Sequence, residues 1–259
     1  MSLHRLGAQT RCLVTALALL PMATVGAALP ELVETGQRAA ALAALEHGAD
    51  VNERSRDGTS ALHWAVYQGD EDLVERLIQY GAEVNQANDY GATPLSTAAI
   101  AADATIIGVL LDAGANANAR NADNETALML VARAGGAQAA RLLLAQGAEV
   151  EVAENLAGQT ALMWAAAYRQ PEMVRLLLEA GAKADAASTF RDWPRIVTAE
   201  PRIKILPSGG LTPLLYAARE GCAECVAALL QAGADSDQSD PWGVTPLALA
   251  LLNMNFEVA

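Results

Sequence analysis

Two cysteines near the C-terminal end of the chain have the type and spacing to do chemistry. Cys222 and Cys225 lie in the sequence GCAEC, at the start of a helical pattern. A sulfur near a helix N-terminus ionises more easily, and an oxidising compartment would allow a disulfide. The sequence favours two plain core cysteines, because Cys225 falls in phase with Leu73, whereas Cys222 falls in phase with the polar Asp70. A redox role is the third interpretation, and it is disfavoured because such motifs join a strand to a helix.

Few other residues suggest catalysis or metal binding. Beyond residue 27 the histidines are His47 and His63, and no His, Cys or carboxylate pair has the ligand spacing of a zinc finger or zinc protease. The sequence also lacks a glycine-rich phosphate loop after a strand and a nucleophile elbow. We therefore predict a protein that is not an enzyme and that uses no metal and no cofactor.

The amino-acid composition favours a helical fold and argues against some classes of partner. Apolar residues make up 53% of the 259 residues but aromatic residues only 4%, which favours closely packed helices with a core of Ala and Leu. The chain has 17 basic and 30 acidic residues, a net charge of −13. Because phosphate binding needs a concentrated positive surface, we expect no nucleic-acid partner and no anionic-membrane partner.

The N-terminal segment, residues 1–27, has the composition of a secretory signal peptide. Basic residues precede the uncharged stretch CLVTALALLPMATVGAAL, which Pro21 interrupts and which ends in small residues. Val25 and Ala27 stand at positions −3 and −1 of a cut before Ala28. We expect cleavage of residues 1–27 and a periplasmic or secreted protein without further membrane contact. The alternative is an uncleaved membrane anchor.

Two short motifs recur along the rest of the chain with one nearly fixed period. The first is a Gly-Ala pair, with its glycines at Gly48, Gly81, Gly114, Gly147, Gly181 and Gly233. The second is Ser or Thr, then Ala or Pro, then Leu, with its hydroxyl residues at Ser60, Thr93, Thr126, Thr160, Thr212 and Thr245. The spacing of both motifs stays nearly constant except between Gly181 and Gly233 and between Thr160 and Thr212, where it is longer by the same amount. The chain is therefore a repeat array with an insertion at one junction.

Each unit of the array predicts two short helices. Ser60 in the first full unit can cap a helix by accepting hydrogen bonds from free N–H groups. The following helix places Leu73 and Leu77 on one face and stops at Gly81, where a left-handed residue is favoured. Because one such pair cannot bury its apolar face alone, the units must stack.

The 33-residue period and the sequences DGTSALHWAV, GATPLSTAA and GLTPLLYAAREG resemble the ankyrin repeat. The resemblance covers about residues 30–259 and implies an all-α ankyrin solenoid of paired antiparallel helices with β-turn fingers. We expect about six to seven units in a domain spanning residues 28–259, with a truncated N-terminal cap unit at 28–56. A cap directly after a signal peptide is similar to the start of exported bacterial ankyrin repeat proteins.

The sequence departs from the family pattern in two ways. The histidine of the first helix is kept at His63 and replaced in the other full units, which we expect to weaken single units without changing the fold. The last unit has one helix and about one turn of a second, so it is incomplete. Because terminal repeats normally carry a polar outer face, we expect the natural product to continue past Ala259.

The resemblance also implies a partner-binding concave face, formed by the finger tips and the first helices. Carried over by register, the contact positions are Arg56, Asp57, Tyr67, Gln68, Asp89, Tyr90, Ile100, Arg133, Gln159, Tyr168, Arg169, Arg219 and Trp242. Tyr, Trp and Arg are the residue types that anchor protein interfaces. Trp64 and Trp164 lie where the family packs helix against helix, and we assign both to the core.

The inserted segment, residues 190–208, differs from the acidic array around it. It carries a net charge of +2 and contains Trp193 and Arg195 among other basic, aromatic and proline residues. A long loop in a compact array is usually functional or disordered. We favour a partly ordered loop that docks on its own acidic array or helps to hold an acidic or apolar partner.

The function predicted from the sequence is that of an exported, monomeric ankyrin scaffold that binds a protein partner of unknown identity. One alternative is a chaperone-like accessory subunit of an exported redox enzyme, suggested by the compartment and by GCAEC. The other is the interaction domain of a longer protein whose remainder lies beyond residue 259. Ankyrin surfaces share a scaffold and not a ligand, so the sequence does not name the partner.

Overall fold

The computed structural model describes residues 27–191 and 209–259, and the predictions for the remaining residues lie outside this description. The described residues form thirteen helices and no strands beyond two isolated bridges. The helices are α1 (Leu29–Glu34), α2 (Arg38–Glu46), α3 (Ala61–Tyr67), α4 (Glu71–Gln79), α5 (Pro94–Ala101), α6 (Ala104–Asp112), α7 (Ala127–Ala134), α8 (Ala137–Ala145), α9 (Ala161–Ala167), α10 (Pro171–Glu179), α11 (Pro213–Glu220), α12 (Ala223–Gln231) and α13 (Pro246–Leu252).

The helices stack in two rows, as a repeat array requires. The inner row is α1, α3, α5, α7, α9, α11 and α13, each packed on the next. The outer row includes α4, α6, α8, α10 and α12, which also pack in sequence. Each inner helix before α13 pairs with the outer helix that follows it along the chain. This arrangement confirms the predicted all-α solenoid of paired helices.

The inner helices begin at the hydroxyl residues of the second sequence motif. Ser60 accepts from the backbone N–H of His63, three residues on, and the same bond forms at Thr93, Thr126, Thr212 and Thr245. Thr160 makes no such bond. Each cap satisfies one N–H group that the first turn leaves without a partner, a contribution of about 1 kcal/mol.

The core is built from leucine on both rows of helices and from alanine mainly on the inner ones. The leucines at one repeat position, Leu77, Leu110, Leu143, Leu177 and Leu229, are all fully buried. Between the inner helices lie buried small side chains, among them Ala65, Ala98, Ala132, Ala165 and Ala217. Burying one leucine contributes about 2 kcal/mol, and alanine lets the helices approach closely.

The glycines of the first motif end the outer helices. Gly81 has φ +91°, and the next N–H, of Ala82, donates to the carbonyl of Leu77. A side chain at Gly81 would meet open space, so lack of room does not explain the glycine. The left-handed backbone conformation of this C-terminal turn does, because it favours glycine.

One backbone hydrogen bond is common to all the fingers between units. The N–H of the first finger residue donates to a carbonyl near the next inner helix in the pairs Ser55–Thr59, Asn88–Ala92, Asn121–Glu125, Glu154–Gln159, Ser188–Leu211 and Asp240–Val244. The insertion unit keeps this pair, although the segment 189–210 stands where the first full unit has only 56–58. The described residues on either side of the predicted insertion therefore belong to a finger.

Neither described part of the chain contains a helix long and apolar enough to cross a membrane. The predicted signal peptide lies outside these parts except for Ala27.

Candidate functional site

The predicted contact residues fall on one side of the array, in two rows. Arg56, Asp57, Asp89, Tyr90 and Trp242 lie on the finger tips. Tyr67, Gln68, Ile100, Arg133, Tyr168, Arg169 and Arg219 lie at the C-terminal ends of the inner helices. We call this surface of finger tips and inner-helix ends the inner face. Trp193 and Arg195 lie outside the described residues.

The first two full units give the inner face an apolar and aromatic character. Tyr67 is 73% exposed and Ile100 is 60% exposed, both at one repeat position at the end of an inner helix. The ring of Trp64 meets the ring of Tyr67 edge to face, with centroids 5.9 Å apart. Trp64 Nε1 is buried and has no hydrogen-bond acceptor among the described residues. This region therefore exposes apolar surface at Tyr67 and Ile100, and the Trp64 N–H is a donor without an acceptor in the described residues.

Gln68 has a structural role that the sequence analysis did not foresee. Its Nε2 donates to the carbonyl of Val33 at 2.7 Å and to that of Glu34 at 3.2 Å. These bonds join the end of α3 to the end of α1. Both amide protons of Gln68 are therefore committed within the chain.

The later units carry a different set of groups, built around Trp164. The Arg133 guanidinium from the last turn of α7 lies over the Trp164 ring, 5.2 Å from its centroid. Trp164 Nε1 donates to Gln159 Oε1 at 3.1 Å, so the finger before α9 satisfies the indole. Trp164 is buried, as predicted, but one side of its ring supports a cation at the inner face.

The same network continues across the insertion to the next unit. Gln159 Nε2 donates to the hydroxyl of Tyr216 at 2.7 Å, and this hydroxyl lies 3.3 Å from Ser188 Oγ. Ser188 Oγ in turn accepts from the N–H of Leu211 at 3.0 Å. Arg219 lies over the Tyr216 ring, 5.0 Å from its centroid. We call Arg133, Gln159, Trp164, Tyr216 and Arg219 the arginine–aromatic cluster.

Sequence reasoning missed Tyr216 and Ser188. Tyr216 occupies the repeat position of Trp64 and Trp164, four residues after the helix cap, so the repeat register contained a signal for it. Ser188 carried no such signal, because its contact with Tyr216 crosses the inserted segment.

The finger tips hold their charged and aromatic residues in fixed turns. The pKa of Asp57 is lowered first by the hydroxyl of Ser55, which donates to its carboxylate, and then by the N–H of Thr59. The Asp57 carboxylate is thus tied to its own turn. At the other end of the array, the rings of Phe190 and Trp242 meet edge to face at 6.2 Å.

One finger closes around a buried carboxylate. Glu154 is 5% exposed and accepts from the N–H groups of Leu156, Ala157 and Gln159. This finger is slightly longer than the fingers before it, and the longer Glu side chain takes the place of the Asn and Asp anchors in other fingers. The geometry fixes Gln159, which joins Trp164 to Tyr216.

Comparison with known proteins agrees with this architecture. A family model of ankyrin repeats in three copies matches residues 31–121, 97–188 and 196–259. The chain belongs to the ankyrin repeat family. The human ASB11 ankyrin repeat domain, known from a crystal structure, is similar with a TM-score of 0.69 and 26% identity, over 89% of this chain and 96% of that one.

The wider comparisons show that the ankyrin fold alone does not identify a binding partner. Chains of solved structures that match number 565, so the fold is shared by many proteins. A comparison with curated proteins finds no match. Ankyrin repeats are typically protein–protein interaction modules without catalytic activity, and the partner must be argued from the surface.

His63 of the ankyrin domain braces two neighbouring units. Its Nδ1 accepts from the N–H of Ser60 at 3.3 Å, which makes Nε2 the donor to the carbonyl of Ala92 in the next finger at 2.9 Å. Burial lowers the pKa of His63 below the usual value of 6.5. The ring is therefore neutral and structural, in line with the role that the family resemblance implies. His47 is exposed and contacts the carbonyl of Ala43 in its own helix.

The two cysteines are buried at the start of α12. The structure joins Cys222 and Cys225 in a disulfide, and Cys222 Sγ accepts from the N–H of Cys225 at 3.2 Å. Cys222 thus caps its helix as Asp70 caps α4, but it is buried, so the expectation of a polar position was wrong in this respect. Burial of both sulfurs opposes exchange with a partner thiol. The sequence analysis favoured plain core cysteines over this disulfide, so the structure supports the alternative interpretation.

Within the described residues no three His, Cys, Asp or Glu side chains are grouped as a metal site would need.

Proposed function

We propose that this chain is an exported ankyrin repeat scaffold that binds a protein partner on its inner face, with residues 190–208 extending that face. The observation that carries the proposal is the exposure of large side chains where the fold does not need them. Tyr67 and Ile100 protrude from the inner helices, and Tyr168 at the end of α9 is 55% exposed. Exposed aromatic residues grouped on one face are typical of protein-binding surfaces.

The outer row of helices gives a useful contrast. Its basic residues pair with acidic residues on the next outer helix, as in Arg38–Asp72 at 3.1 Å, Arg141–Glu172 at 3.1 Å and Arg175–Glu224 at 3.7 Å. Arg76 on α4 is the outer-helix arginine without an ion pair in the described residues, and the large apolar side chains exposed on the outer row are Tyr80 and Leu230. The inner face is the better candidate for a partner on both counts.

Photo-crosslinking tests the location of the partner. A benzoylphenylalanine residue is placed at Tyr67, at Tyr168 or at Tyr80, and the variants are expressed as full chains in a Gram-negative host. Tyr80 is the matched control because it is an exposed tyrosine at the end of the outer helix α4. We expect one crosslinked protein from Tyr67 and Tyr168 and none from Tyr80. Equal capture from Tyr80 would contradict the proposal.

Export supports a partner in the periplasm or outside the cell. The proposal rests on the basic, apolar and small-residue order of residues 1–27. Fractionation followed by N-terminal sequencing of the mature protein should find Ala28 as the first residue. A cytoplasmic protein that begins at Met1 would contradict export and leave the inner-face proposal to its own test.

The contribution of the insertion has a separate test. A short Gly-Ser bridge replaces residues 190–208, and the circular dichroism of both proteins is compared first to confirm the fold. If the insertion extends the binding face, the shortened chain loses the crosslinked partner. Unchanged capture would remove the insertion from the proposed site.

A further inference from the structure

We infer that the arginine–aromatic cluster, together with Arg169 of the neighbouring unit, binds an acidic peptide segment of the partner, with its carboxylates against Arg133 and Arg169. The inference rests on the proposed function and adds the chemistry of the partner. It is carried by the charge pairing, the repeat position and the backbone conformation of these two arginines.

Arg133 and Arg169 have no carboxylate within ion-pair distance among the described residues. Basic residues with a carboxylate partner within 4.0 Å are Arg38, Arg54, Arg120, Arg141, Arg175, Lys183 and Arg219. Arg133 and Arg169 make no ion pair within the described residues. They stand at the ends of α7 and α9, which pack directly on each other. Arg56 and Arg76 also make no ion pair within the described residues, but Arg133 and Arg169 differ from them in standing at the ends of two inner helices that pack on each other.

The fold does not require a cation at the repeat position of Arg133. A cation at a helix C-terminus is favoured by the helix dipole, which would explain Arg133 without a ligand. The equivalent residue is an arginine again in α11, Arg219, but it is uncharged in the other inner helices, which have Tyr67, Ile100, Ala167 and Leu252. Since these helices form with an uncharged residue there, the guanidinium is free of any necessary folding role.

Arg169 adds an observation from the backbone. It has φ +57°, in the left-handed region that favours glycine, at the position where three other units have Gly69, Gly135 and Gly221 and one has Ala102 at φ +51°. A side chain in this conformation costs roughly 1 kcal/mol relative to glycine. The arginine is therefore present at a cost to folding, as residues at binding sites often are.

The cluster also orients the guanidinium of Arg133 for hydrogen bonding to a carboxylate. Stacking on Trp164 fixes the guanidinium plane, and the Trp164 ring is itself held by Gln159. A guanidinium so placed keeps its N–H edge for two parallel hydrogen bonds to a carboxylate. The net charge of −13 repels an acidic chain at long range. Within about 8 Å, the screening length at physiological salt, the nearest charges decide.

The test is selection of random dodecapeptides displayed on phage against the full chain, followed by titration of the selected peptides. The test variant is Arg133→Gln with Arg169→Gln. The matched control is Arg141→Gln with Arg175→Gln, which removes the same charge from two outer helices. We expect peptides enriched in Asp and Glu whose affinity falls about tenfold or more in the test variant and less than about twofold in the control.

A single variant guards against an effect on folding. Arg169→Gly should raise the melting temperature by about 3 °C, because glycine suits the backbone there, and still weaken the acidic peptides. A gain in stability with a loss of binding would support the inference, since damage to the fold cannot produce that pair of results.

Three outcomes would overturn the inference. Neutral or basic peptides that depend on Tyr67 would contradict the acidic preference and leave the inner-face proposal standing. If the peptides lose equal affinity in the Arg133/Arg169 variant and in the Arg141/Arg175 variant, both the acidic preference and the inner-face proposal are contradicted. Binding of a single-stranded oligothymidylate that depends on the same two arginines would replace the acidic peptide by a nucleic acid.

Discussion

Trp64 and Trp164 occupy the same repeat position in two units and have different surroundings. Trp164 donates to Gln159 and supports Arg133, whereas the N–H of Trp64 has no acceptor in the described residues and its ring contacts Tyr67. The residue before the helix cap differs as well, being Gln159 in one unit and Thr59 in the other. The repeat thus places the ring, and a single finger residue decides what the ring can bind.

The comparison divides the inner face into two chemical halves on one backbone. The half around Trp64 exposes the apolar side chains of Tyr67 and Ile100 and leaves the indole N–H without an acceptor in the described residues. The half around Trp164 is a hydrogen-bonded network that carries Arg133 and Arg219. A partner that covers both would present apolar groups to the first and carboxylates to the second. The following changes test this division, from the largest expected effect to the smallest.

The largest expected difference comes from changing each tryptophan to phenylalanine. Trp164→Phe leaves Gln159 without its donor and weakens the stacking of Arg133, whereas Trp64→Phe removes a donor that had no acceptor in the described residues. We expect Trp164→Phe to cost about 2 kcal/mol more free energy of unfolding than Trp64→Phe. Urea unfolding of both full chains measures this, and equal losses would show that the network around Trp164 contributes nothing.

Removing one hydroxyl should have a smaller effect. Tyr216→Phe deletes the oxygen that accepts from Gln159 and contacts Ser188, at a cost of about 1 kcal/mol. Tyr67→Phe is the control, because the Tyr67 side chain is 73% exposed and its hydroxyl makes no hydrogen bond in the described residues. A measurable loss of unfolding free energy for Tyr67→Phe would contradict the division between the two halves.

The missing acceptor of Trp64 can be supplied. Thr59→Gln places an amide oxygen where Gln159 has one, and we expect a gain of up to about 1 kcal/mol in unfolding free energy. Thr59→Val, which removes the hydroxyl without adding an acceptor, should give no gain. Because other fingers hold Glu125 and Gln159 at this position, a long side chain fits the turn. A loss with Thr59→Gln would mean that the two fingers are not interchangeable.

The smallest effect is the pH dependence conferred by His63. Burial lowers its pKa in the folded protein, so the unfolded chain binds a proton more readily. The stabilisation is fully present above the unfolded pKa of about 6.5 and decreases as the pH falls below it. His63→Met, which has the side chain of Met129 and Met163 in other units, should remove this part of the slope of unfolding free energy between about pH 7 and 5. An unchanged slope would assign it to other groups.

The sequence predicted the fold well because the repeat signal is local. The caps at Ser60 and Thr93 and the glycine stop at Gly81 are each decided within a few residues. Two markers in one register also predict the insertion at residues 190–208, and the hydrogen-bonded pair Ser188–Leu211 flanks that segment.

The site was harder to predict because its contacts join different units. Gln159 and Tyr216 are far apart in the sequence and meet across the insertion, so no local pattern links them. Gln68 was assigned to the partner although its amide is used by Val33 and Glu34, because an exposed position does not reveal a bond to another unit. The left-handed Arg169, by contrast, could have been found by comparing it with the glycines at its repeat position.

The most direct test of partner binding on the inner face is hydrogen–deuterium exchange of the full chain. Exchange is measured alone and with an excess of the purified partner that photo-crosslinking identifies. The account predicts slower exchange at the finger tips and at the ends of α7 and α9, around residues 133–136 and 167–170, with no change at 141–146 or 175–180 in the outer helices. Protection confined to the outer helices would contradict it.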